Sequence, residues 1–221
     1  MISSNNLRSA LAVATLLALT GAAQAAITVY TTQTSFLAAV GSAGTDTFDD
    51  LSVAGTSDGP LARTAGSHSY SASVGTISTS FFPASNGGTD VYLAPNNGFD
   101  TIRASGFSAG VSALGGFFFG TDLNGLLTHA TRLTVSATDA SGTTTVALLS
   151  PGLATFRGFV SSGGLTSLTL WAGVAEGSGE AGVFPALNNL TLAVAVPEPQ
   201  TWALMLGGLA LLGWAARRQP G

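Results

Sequence analysis

Arg132-Leu133-Thr134-Val135-Ser136-Ala137-Thr138-Asp139-Ala140-Ser141-Gly142-Thr143-Thr144-Thr145-Val146-Ala147-Leu148-Leu149 reads as strand, turn, strand. In Arg132–Thr138, Leu133 and Val135 oppose Arg132, Thr134 and Ser136. That period of two puts one face of a strand on a core and the other in solvent. Asp139-Ala140-Ser141-Gly142 predicts a four-residue hairpin loop, because Asp and Ser bond to nearby backbone and Gly tolerates positive φ. Thr143–Leu149 is the returning strand. Leu165–Trp171 repeats the alternation, with Leu165, Ser167, Thr169 and Trp171 opposing Thr166, Leu168 and Leu170.

The same pattern recurs outward from the hairpin. Strands are predicted at Ile27–Thr31, Ser69–Val74, Thr76–Phe82, Asp90–Ala94, Asp100–Ala104, Val111–Gly120, Ala154–Val160 and Leu187–Val194, separated by Gly, Asn, Asp and Ser. Phe117-Phe118-Phe119 places two rings on one face and one on the other, which suits a strand buried on both faces. Thr34–Val40 is the single predicted helix, with Thr34 as its cap and Phe36, Leu37 and Val40 on one face. About ten short strands without a second amphipathic helix predict an all-β fold, an antiparallel β-sandwich or jelly roll. A parallel α/β sheet would need crossover helices, which this pattern lacks.

Composition narrows the chemistry. The chain has 221 residues and no cysteine, and its seven basic residues are all arginines. Disulfides, thiolate metal sites and cysteine nucleophiles are therefore excluded, as are a Schiff-base lysine and a lysine–asparagine isopeptide staple. Between residues 26 and 195, ten acidic residues stand against four arginines, Arg63, Arg103, Arg132 and Arg157. That balance forms no basic patch, so neither nucleic acid nor anionic lipid is an expected partner. Cation binding stays open.

Both ends read as addresses. Met1–Arg8 carries one positive charge, Ala10–Thr20 is apolar, and Ala23-Gln24-Ala25 is a small-x-small cleavage site. This order predicts a signal peptide over 1–25, too short in its apolar part to span a membrane. The soluble domain is then 26–195, and about 170 residues can bury roughly 70% of their unfolded surface in one core. The tail 196–221 opens with Val196 and then Pro197, Glu198 and Pro199, continues as the uncharged run 201–216, and ends with Arg217 and Arg218 before Gln219-Pro220-Gly221. A helix of that length spans about 24 Å, short of the roughly 30 Å hydrocarbon core. Trp202 and Trp214 sit near its ends, and the arginine pair sets a cytoplasmic C-terminus. A marginal single transmembrane helix of this kind suits a temporary anchor.

The prolines fix φ and offer no N–H, so the segment before the span is extended and readable by an enzyme. Pro-Glu-Pro, hydrophobic span and arginine-rich end together resemble the PEP-CTERM sorting signal. That resemblance implies recognition and cleavage by an exosortase, in bacteria that make exopolysaccharide. The upstream domain resembles the uncharacterised β-sandwich ectodomains that precede such tails. The stretches that carry this likeness are Tyr30–Val40 before Phe48-Asp49-Asp50-Leu51, then Gly115–Asp122, Phe156-Arg157-Gly158-Phe159 and Leu187–Leu192. Those ectodomains often have Asp-Asn where this chain has Asn188-Asn189, and they imply no reaction.

Few constellations could carry chemistry. Gly106-Phe107-Ser108-Ala109-Gly110 matches a nucleophile elbow, with Asp122 and His129 following in hydrolase order. The elbow requires a helix directly after the serine, and none is predicted there. His68 and His129, the only histidines, lack metal-ligand spacing. Asp90, Asn96, Asp100 and Asp122 are candidate ligands of a structural calcium, with Asp46, Asp49 and Asp50 as a further oxygen cluster, because hard donors on loops are what calcium takes. Turn formation is the competing role for all of them. Trp171 is the candidate sugar-stacking ring and also a candidate core residue. No other cofactor is expected.

The functional expectation is a non-enzymatic exported protein. It is membrane-anchored by its C-terminal helix, handed to an exosortase, and displayed at the cell surface or in an exopolysaccharide matrix. Its role there is structural, adhesive or weakly carbohydrate-binding, as in a biofilm. The alternative is a secreted hydrolase of that polysaccharide, which would need two carboxylates across a cleft.

Overall fold

A computed structural model describes residues 26–75, 77–196 and 205–210; the expected signal peptide, 1–25, lies outside them. In chain order the elements are β1 (Ile27–Tyr30), α1 (Gln33–Ala38), β2 (Val40–Asp46), β3 (Ser57–Asp58), β4 (Leu61–Ala65), β5 (His68–Val74), β6 (Ser80–Ala84) and β7 (Tyr92–Pro95). Then follow β8 (Ile102–Ser105), β9 (Ala113–Thr121), β10 (Leu127–Thr128), β11 (Arg132–Asp139), β12 (Gly142–Leu149), β13 (Phe156–Ser161), β14 (Leu165–Ala172) and β15 (Phe184–Ala195).

The strands form two antiparallel sheets. One runs β1-β13-β9-β15-β7-β6-β3, with β10 beside β9 and β2 beside β15; the other runs β12-β11-β14-β8-β5-β4. The protein is therefore an all-β antiparallel sandwich. Its core lies between the sheets: Leu114, Phe118, Phe159, Leu187 and Leu192 from one, Ile102, Leu133, Val135, Leu168 and Leu170 from the other.

The triple phenylalanine explains how the larger sheet is buried twice. Phe118 enters the main core, while Phe117 and Phe119 point outward. Phe119 packs edge-on against Tyr92 at 4.9 Å, and Phe117 against Phe156 at 5.4 Å. Phe36 of α1 covers this second patch, 5.6 Å from Phe156. Each ring thus gains apolar burial and a favourable edge contact.

Three local readings change. Thr32, not Thr34, caps α1, accepting a hydrogen bond from Ser35 N at 3.2 Å; a cap there places Phe36 inward. The 132–149 hairpin pairs Asp139 with Gly142, so its loop is two residues, not four. Asp139 Oδ1 accepts from Ser141 N at 2.8 Å and Gly142 N at 3.1 Å and tightens the turn. β2, β3, β4 and β10 were not read from the sequence, and β6 begins at Ser80, later than Thr76. Gly41 and Gly44 hide β2 from any periodicity count, but Gly44 is required. A Cβ there would lie 2.2 Å from Ala65 O, where the two sheets meet.

Candidate functional site

The strand that leads out of the fold is β15. It pairs with β9 along one edge and with β7 and β2 along the other, down to Ala195 opposite Val40. Ala195 N donates to Ser112 Oγ at 2.7 Å, and Val196 N donates to Ala39 O at 3.3 Å. The backbone is held to the last residue before Pro197. Pro197, Glu198, Pro199, Arg217 and Arg218 lie outside the described residues. Of the expected span 201–216, residues 205–210 are described and are helical. Among the described residues no helix is long and apolar enough to cross a membrane.

The acidic clusters serve the fold. Arg63 on β4 forks onto Asp46 (Nε to Oδ2 2.9 Å, Nη2 to Oδ1 2.6 Å) and onto Asp50 (Nη1 to Oδ2 2.7 Å, Nη2 to Oδ1 2.6 Å). Tyr70 donates to Asp46 Oδ2 at 2.6 Å, and the guanidinium sits 5.5 Å from the Phe48 ring. The Arg63 hydrogen bond holds the Asp50 carboxyl below the usual range, and the two carboxylates push Arg63 up. Burial first, then Asp46, raises the Tyr70 hydroxyl, which stays neutral. Asp49 Oδ1 accepts from Val91 N at 2.9 Å. These three aspartates are bound to arginine, tyrosine and backbone partners.

The four candidate calcium ligands are distributed. Asp100, 2% exposed, accepts from Ile77 N, Ser78 N and Ser78 Oγ. Asp90 accepts from Asn188 Nδ2 at 2.9 Å, so the carboxylate of this pair comes from the loop before β7, not from β15. Asp122 Oδ1 accepts from Asn124 N and Leu126 N. Asn96 and Asp122 do come together, on the walls of one groove with Leu123 and Phe184. Among the described residues no three His, Asp or Glu side chains converge as a metal site. Tyr92, whose hydroxyl donates to Gly125 O, is pushed up to about 12 by burial and by Asp122 and Asp90.

Trp171 is 9% exposed. It packs into the sheet and leaves little ring face for a sugar. Ser108 sits in the β8–β9 loop, with its hydroxyl accepting from Ser69 N at 3.2 Å, and a strand follows it, not a helix. His68 Nε2 is 2.8 Å from Ser42 O, and His129 is exposed. Phe99, an aromatic residue 48% exposed in the loop Asn96-Asn97-Gly98-Phe99, is not among the residues singled out from the sequence. An apolar ring among turn formers was the signal that could have found it.

A family model described as the PEP-CTERM protein-sorting motif matches residues 195–219. This chain carries a PEP-CTERM sorting motif. The motif opens on Ala195, the last residue of β15, so the PEP-CTERM segment leaves directly from a central strand of the folded sandwich. It marks the protein as exported and sorted to the surface, and implies processing by an exosortase. No curated protein matches the chain.

Proposed function

We propose that this PEP-CTERM protein is a non-enzymatic structural or adhesive module, weakly carbohydrate-binding, held in the cell-surface or exopolysaccharide matrix after transient anchoring by its C-terminal helix. One observation carries this reading: the sorting motif begins where a twelve-residue strand, paired on both edges, ends. A processing enzyme acting beyond Val196 touches no ladder hydrogen bond of the sandwich, so the ectodomain is delivered whole. The engagement of Asp46, Asp50, Asp100 and Glu180 with arginine or backbone partners supports a structural role for the acidic residues.

The test is fractionation of the native host. The wild-type protein is expected in the surface and matrix fractions, and a chain stopped after Val196 is expected to lose that placement. Wild-type protein found wholly in the periplasm would contradict the reading. Release of reducing ends from the host polysaccharide by purified ectodomain would replace it with the hydrolase.

A further inference from the structure

The groove that unites Asn96 and Asp122 is larger than that pair. It runs from a pocket of about 60 Å³ beside Phe82 into an open hollow of about 330 Å³ beside Phe99 and Glu180, and Asn96, Leu123 and Phe184 line both parts. Its floor is the first residue of β15. At about 3.3 Å per residue, Phe184 lies some 35 Å from Ala195, where the sorting segment leaves. The groove therefore occupies the pole opposite the tether.

Its surfaces are mixed. Phe99 is pinned on one side by the backbone of Gly179, where a Cβ would lie 2.3 Å from the ring. Gly179 also has φ +61, so that close approach is built into the turn. The ring stays 48% exposed and Leu123 is 76% exposed. Around them, Asp122 Oδ2, Asn96 Oδ1 and Asn97 Nδ2 have no partner among the described residues, whereas Asp122 Oδ1 and Asn97 Oδ1 accept backbone N–H groups of their own loops. Glu180 is fixed by Thr131 N and Arg132 N. Burial opposes its charge, but those N–H donors outweigh it and keep the carboxyl low. Among the described residues no arginine or histidine lines either part.

An aromatic plate with convergent amide and carboxylate groups on rigid loops is the composition of a small-molecule site. A sugar ring offers one apolar C–H face to such a plate and hydroxyls at its edge to such acceptors. The two lining carboxylates, with no cation to offset them, select against uronate or phosphate groups. We propose that this groove is a saccharide-binding site for a neutral glycan chain, presented at the tether-distal pole. The proposal rests on the matrix reading above and supplies its ligand-binding surface.

The probe is the extracellular polysaccharide of the native host, separated by anion exchange into neutral and acidic fractions, with binding read by affinity electrophoresis of the ectodomain. Wild-type protein is expected to be retarded by the neutral fraction. Phe99→Ala and Asn96→Ala should each weaken that retardation about tenfold or more. Leu153→Ser, at an exposed position away from the groove, should leave it unchanged. Asn96→Ala keeps the backbone bond from Asn96 N to Ser80 O, so it reports on the groove even if Phe99→Ala loosens its loop. Variants that bind as tightly as wild type would overturn the groove and leave the matrix reading standing. Retardation by the acidic fraction alone would overturn the ligand class. No retardation of wild type by either fraction would overturn both.

Discussion

Arg63 donates four hydrogen bonds to two carboxylates, and its partner Asp46 is 4% exposed. Removing one member of a buried pair strands the other charge, which costs about 3–5 kcal/mol. Arg63→Met is expected to destabilise the ectodomain by that amount in urea unfolding, and Arg63→Lys to restore little, because an ammonium cannot fork onto two carboxylates. The pH dependence follows from the lowered groups. The Arg63 hydrogen bond holds Asp50 below its unfolded value, and the Ser141 and Ser161 hydroxyls do the same for Asp139. Against burial, its N–H donors lower Glu180 as well. A depressed carboxyl contributes stability that is fully present only above its unfolded value and disappears as pH falls through its folded pKa. A flat melting temperature from neutral pH to about 5, then a progressive fall, is the expected profile. A fall already under way between pH 6 and 5 would point to another group. The acidic cluster Asp46, Asp49, Asp50 was visible in the sequence. Its arginine was not assigned because β4, which carries it, shows no period strong enough to be read.

At the level of elements, α1 is one short helix that covers one outer patch of the larger sheet. It does so because Gly158 beneath it has no side chain: a Cβ there would lie 2.4 Å from Phe36 Cδ2. Gly158→Ala is expected to lift the helix, lowering stability by about 1–3 kcal/mol and speeding amide exchange over residues 33–38. Unchanged exchange there would mean that Phe36 finds another rotamer. Most strands were legible because Thr, Val and Leu alternate, as in β11 and β14. Those that were missed, such as β2 and the two-residue β3 and β10, are glycine-rich or too short to show a period. The hairpin loop was overestimated because Asp139 and Gly142 look like turn residues, yet they form the last pair of the ladder. The groove had the same difficulty. Asn96 and Asp122 stood out as oxygen donors, but their meeting depends on three loops whose juxtaposition is purely tertiary.

For the whole molecule, the ladder of the sandwich ends where the tail begins. β15 ends at Ala195, and Val196 makes the last described backbone bond, to Ala39. A chain of residues 26–196 should match the stability of 26–221 within about 0.5 kcal/mol, since no ladder bond is lost. Stopping after Leu190 should abolish cooperative unfolding, because it removes Leu192 and Ala193 from the core and the pairs of β15 with β2. A disulfide-free sandwich whose described backbone bonds run to Val196 and stop before the motif's prolines is what a disposable sorting signal requires. The most direct measurement is the mass of the mature protein purified from its native host. The mature chain is expected to end after Val196 and before the arginine pair. A mature chain still carrying Arg217 and Arg218 would contradict it.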